Sequence, residues 1–79
     1  MATRPQHKLA YKRLCTLLRA MREHARLSQR ALGAAMHLHH TMVHRSETGD
    51  RRIDPVEFAD WCRACGVDAG DAMNRLARG

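Results

Sequence analysis

Apolar positions along the chain fall into five clusters, and all of them repeat at helical spacing. Leu14, Leu17, Leu18 and Met21 stand at i, i+3, i+4 and i+7, with Arg13, Arg19, Arg22 and Glu23 turned elsewhere. They predict a first helix over His7 to Ala25. Ser28 offers an N-cap hydroxyl to a second helix of two turns, Gln29 to Met36, whose apolar side is Leu32, Ala35 and Met36. Asp54-Pro55-Val56-Glu57 is the clearest start signal: a capping carboxylate, a proline at the first helical position and a glutamate three residues after the cap. The helix it opens carries Phe58, Ala59, Trp61, Cys62 and Cys65 inward and stops at Gly66, a residue suited to a left-handed cap. A last helix, Ala69 to Ala77, presents Ala72, Met73 and Leu76. No segment alternates with period two, so the fold is expected to be all-α with five helices. Met1 to Gln6 are expected to be unstructured.

The remaining element, His40 to Thr48, is the most informative. At about 100° per residue, His40, Thr41, His44, Arg45 and Thr48 share an arc of about 140°, while Met42, Val43, Ser46 and Glu47 take the other side. Such a helix can bury Val43 and Met42 and leave five polar side chains outward. Imidazole, hydroxyl and guanidinium groups are those that meet phosphates and base edges in a major groove about 12 Å wide.

Composition supports a polyanionic partner. The chain has 79 residues, enough for one domain, with 14 Lys and Arg against 8 Asp and Glu and a formal charge of +6. That balance draws it to nucleic acid first and to an anionic membrane surface second. A chain this short buries only roughly 60% of its unfolded surface, so the core is small.

Other chemistry is poorly supplied. Cys15, Cys62 and Cys65 are an odd number without disulfide-framework spacing, and no signal peptide or long apolar run precedes them. Free thiols in a reducing cytoplasm are expected. Cys62-x-x-Cys65 lacks the second pair of a structural zinc site and reads as two small core residues. Of the six histidines, His37, His39, His40 and His44 cluster, and His40 with His44 has i, i+4 spacing. No third ligand adjoins them, so no metal and no cofactor is expected. Imidazoles beside phosphates would instead make polyanion affinity rise as pH falls through 6 to 7. There is no nucleophile triad, phosphate loop or paired-carboxylate site, which argues against an enzyme, and no small-molecule site or membrane segment is evident.

From Arg22 to Phe58 the chain resembles, without a gap, the Cro/repressor-type (XRE-like) helix-turn-helix family. The residues that carry the likeness are Leu27-Ser28-Gln29, Leu32, Gly33, Met36, Leu38, Val43 and Glu47-Thr48-Gly49, with Arg22 seven positions before Gln29. Gly49-Asp50-Arg51-Arg52-Ile53-Asp54 and Val56-Glu57-Phe58 are similar to a subgroup of short bacterial and prophage regulators. The resemblance implies a lambda repressor-like domain with its helix-turn-helix over residues 28–48. It implies that His40, Thr41, His44 and Arg45 read bases, and that Gln29, His39, Thr48, Arg51 and Arg52 hold the DNA backbone. Arg22 and Glu47 would form a structural ion pair. It further implies a homodimer on a palindromic operator, with Val67, Met73 and Leu76 as the expected dimer surface. The expected role is a repressor, often of its own operon, in a phage, prophage or mobile element; restriction-modification controllers and anti-CRISPR-associated regulators are of this type. The alternative is an antitoxin-like module whose main partner is a toxin.

The chain departs from the family pattern at four positions. Arg26 and His37 stand where the family usually has glycine at positive φ. Ser46 replaces a large apolar residue, leaving less volume to fill the core under the third helix, and His39 replaces the Ser or Thr that usually caps that helix.

Overall fold

The computed structural model describes residues 5–79, with side chains from Lys8 onward. It contains five helices: α1 (Pro5–His24), α2 (Gln29–Met36), α3 (His40–Thr48), α4 (Pro55–Cys65) and α5 (Ala69–Arg78). No strand occurs among the described residues. Of the segment expected to be unstructured, residues 1–4 lie outside the described residues, and α1 begins at Pro5.

Helix boundaries follow from local chemistry. Ser28 Oγ accepts from the Ala31 amide at 2.9 Å, Asp54 Oδ1 from Glu57 at 2.8 Å and Asp68 Oδ1 from Asp71 at 2.9 Å. Each satisfies an amide that has no partner inside its helix. At the other ends, α1, α2 and α4 close with the same pair of backbone bonds, the one that spans more residues running from Leu27 to Arg22, Leu38 to Gly33 and Val67 to Cys62. That closure puts one residue at positive φ. Gly66 fills it in α4 (φ 71°), but Arg26 (φ 61°) and His37 (φ 57°) fill it in α1 and α2, so both family glycine positions keep their left-handed backbone without glycine.

The core is one cluster: Leu18, Met21, Leu32, Val43, Phe58, Trp61, Cys62 and Ala72. Trp61 is fully buried, and its indole N–H donates to the Leu18 carbonyl at 3.1 Å, so the ring is packed without an orphaned donor. The helix-turn-helix itself depends on Gly33. A Cβ there would stand 2.5 Å from the Leu38 carbonyl oxygen and 3.3 Å from the His40 amide. Only glycine lets the start of α3 lie this close to α2.

Ser46 is fully buried with its hydroxyl satisfied. It donates to the Met42 carbonyl at 2.9 Å and accepts from Arg51 Nη1 at 3.1 Å. Arg51 Nη2 donates in turn to Glu57 at 2.6 Å. Where the family has a large apolar residue, a hydroxyl and a guanidinium satisfy each other.

Candidate nucleic-acid interface

Helix α3 packs against α1 and α2, and its Val43 and Ser46 are fully buried, which fixes which side faces solvent. Thr41, His44, Arg45 and Thr48 are exposed along the outer side. His40 is half-buried instead, its ring 4.4 Å from that of His39. Burial, then the nearby Arg30 and His39 charges, lower the His40 pKa from its ordinary value. His39 caps α3 through Nδ1, which accepts from the Thr41 amide at 3.3 Å and lies 2.8 Å from the Thr41 hydroxyl.

A polar network sets the pose of this helix. Arg22 Nε and Nη2 donate to the two carboxylate oxygens of Glu47 at 2.5 and 3.1 Å, and Nη1 donates to the Leu27 carbonyl at 2.9 Å. The Glu47 side chain is only 4% exposed and that of Arg22 11%. The bond to Glu47 raises the Arg22 pKa, so the guanidinium stays charged at any pH the fold survives. Gln29, at the first turn of α2, donates to Glu47 Oε1 at 3.2 Å and lies 3.3 Å from His44 Nδ1. Helices α1, α2 and α3 are thereby tied at one point, beside a cleft of about 210 Å³ that reaches Arg19 and Thr48.

The comparisons agree with this geometry. A family model described as a helix-turn-helix domain matches residues 13–76. Among solved structures, the chain is similar to an XRE-family like protein from Pseudomonas syringae pv. tomato str. DC3000. The two share 32% identity over 91% of this chain and 88% of that one, with a TM-score of 0.86. The chain belongs to the XRE-like helix-turn-helix family. No curated protein matches it.

As an XRE-like protein the chain is a DNA-binding regulator, and the remaining polar residues can be placed in that light. Arg45 Nε donates to Asp50 at 3.2 Å in a pair whose side chains are 54% and 67% exposed. Such a pair contributes about 0–1 kcal/mol and opens at little cost when a better acceptor arrives. Arg51 and Arg52 separate: Arg51 is half-buried and bonded to Glu57 and Ser46, whereas Arg52 is exposed and stacks 4.2 Å over the Tyr11 ring. Tyr11 matters twice, because its hydroxyl also accepts from the Ile53 amide at 3.3 Å. Its sequence signal was the extension of the Leu14 and Leu18 stripe back by one turn, which the apolar pattern alone left out. Among the described residues no group of three or more metal-ligating side chains assembles, and no helix is long and apolar enough to cross a membrane.

Proposed function

We propose that this XRE-like protein is a sequence-specific double-stranded DNA-binding repressor that acts as a homodimer on a palindromic operator, its own promoter included. The observation that carries the reading is the division of α3. Val43 and Ser46 are wholly buried, while Thr41, His44 and Arg45 stand exposed on the other side. With α3 in a major groove, Arg45 leaves Asp50 for the O6 and N7 of a guanine, a contact worth about 1–3 kcal/mol of discrimination. Thr41 and His44 read the adjoining bases, and half-buried His40 borders them. Gln29, His39, Thr48 and Arg52 take phosphates. Arg51 serves this face from within, by holding the α3–α4 connection to Ser46 and Glu57.

One such helix offers few base contacts, so two protomers act together on half-sites about 34 Å apart. Half-buried Val67 and Leu76 with exposed Met73 supply the apolar surface for that pairing. The reading is tested by nuclease footprinting on the DNA upstream of its own coding sequence. It expects a protected two-fold site there that is lost in a Thr41→Ala/Arg45→Ala variant. Protection that is absent, or the same in the variant, refutes it.

An antitoxin-like role draws on a different observation. Between α1 and α5 lies an open cleft of about 560 Å³ bordered by Leu9, Leu17 and Leu76, and Leu9 is 58% exposed. Exposed apolar surface of this kind marks protein contacts. That role requires a toxin encoded next door which co-purifies with the chain and is released by Leu9→Glu/Leu76→Glu.

A further inference from the structure

Beside the α3 face lies a second cleft, of about 500 Å³, of which the contacts proposed above use only the Thr48 and Arg52 edge. It runs between α1 and the α3–α4 connection and is bordered by Lys8, Tyr11, Lys12, Thr16, Thr48 and Arg52. Glu47 is the only acid on its wall, and its carboxylate is already bonded to Arg22 and Gln29. None of the salt bridges among the described residues engages Lys8, Lys12 or Arg52. Lys8, Lys12, Thr16 and Arg19 follow each other at i, i+4, i+8 and i+11, one exposed ridge of α1. The Tyr11 ring steadies the Arg52 guanidinium at the cleft's edge.

Three cations outside any salt bridge and the hydroxyls of Tyr11, Thr16 and Thr48 around an open groove are a poor protein core and a good seat for anions. The groove also shares Thr48 and Glu47 with the smaller cleft that reaches Gln29 and His44, so the two lie side by side along α3. A strand whose bases face α3 would have its phosphates along these two clefts.

We propose that the α1 ridge is a second, sequence-independent phosphodiester-binding surface, in which Lys8 and Lys12, beside the Arg52 already assigned to phosphate, grip the DNA strand that flanks the base-reading helix. The inference rests on the α3 reading for its placement. Lys8 and Lys12 lie one turn apart, about 5–6 Å between Cβ atoms, so they hold separate phosphates. Each phosphate neutralised releases condensed counterions, so log K falls with log salt by about 0.9 per contact. The ridge therefore strengthens binding to every sequence alike and leaves discrimination to α3.

The test uses fluorescence anisotropy with two labelled duplexes, one carrying a site enriched from a random-sequence pool and one scrambled, across a range of sodium chloride. Lys8→Gln/Lys12→Gln is compared with the wild type and with Arg63→Gln/Arg78→Gln, which removes two charges elsewhere. All four side chains are exposed, and thermal unfolding verifies that each variant folds. The expected result is a slope shallower by about 1.8 per bound protomer, with affinity for both duplexes reduced by the same factor, about tenfold or more, and the control pair unchanged. A slope equal to that of the wild type, or a loss matched by the control pair, overturns the proposal. If the wild type does not distinguish the two duplexes while the slope still changes, the α3 reading fails and the ridge stands.

Discussion

Replacing Glu47 by alanine isolates the bond that holds α3 in place. In the native fold the Arg22 guanidinium makes three hydrogen bonds, two to Glu47 and one to the Leu27 carbonyl, and its side chain is only 11% exposed. Without Glu47 the charge keeps one protein partner, and the Gln29 amide loses an acceptor as well. Removing one partner of a buried pair costs about 3–5 kcal/mol, because the other charge stays behind uncompensated. The cleft beside Arg22 admits water, which places the loss at the low end, about 3 kcal/mol. A domain of this size has roughly 4–12 kcal/mol in total. The melting temperature should fall by about 12–24 °C. The matched control is Glu23→Ala, which breaks the Arg19–Glu23 pair. Its side chains are 64% and 53% exposed, so the expected cost is below about 0.5 kcal/mol. Urea unfolding followed by circular dichroism reads both. A Glu47→Ala loss under about 1 kcal/mol, or one no larger than that of Glu23→Ala, would refute the claim that this pair fixes the helix.

Three further outcomes are expected. Arg26→Gly and His37→Gly should each stabilise the fold by about 1 kcal/mol, since both residues hold a left-handed backbone at φ 61° and 57°; unchanged or lower melting temperatures contradict this. His40 has a folded pKa below its unfolded value of 6.5, so the unfolded chain takes up its proton first. Its contribution to stability is full above pH 6.5 and is lost as pH falls through the folded value, and His40→Gln should remove that share of the pH dependence. An unaltered profile in the variant excludes it. Burial, reinforced by the neighbouring Cys62, pushes the Cys65 thiol up to about 11, and burial raises Cys15 and Cys62 as well. At pH 8 the folded protein should react with iodoacetamide about a hundredfold more slowly at Cys65 than the urea-unfolded chain, and equal rates would show an accessible thiolate.

Helix positions were legible because each depends on a few neighbouring residues. Asp54 and Pro55 start α4, Gly66 ends it, and α3 runs from His40 to Thr48 as its arc predicts. Gly33 was visible only as a small residue; its necessity appears once Leu38 and His40 are seen to press on it. The long-range polar contacts were harder to read. Adjacent Arg51 and Arg52 look alike in sequence, and their different positions are set by a hydroxyl at Ser46, a carboxylate at Glu57 and a ring at Tyr11, which only the fold brings together. A helical arc likewise counts His40 as outward. It cannot register that His39, just before the helix, turns its own ring back onto His40.

The claim that α3 reads bases is tested most directly by selecting binding sites from a random-sequence duplex pool with the wild type and with Arg45→Ala. The wild type should enrich a two-fold site with a guanine at one fixed position per half-site. Arg45→Ala should still bind and lose that preference alone, by a factor of roughly 5 to 150, the equivalent of about 1–3 kcal/mol. Recovery of the same site with the same guanine preference by the variant would contradict the account.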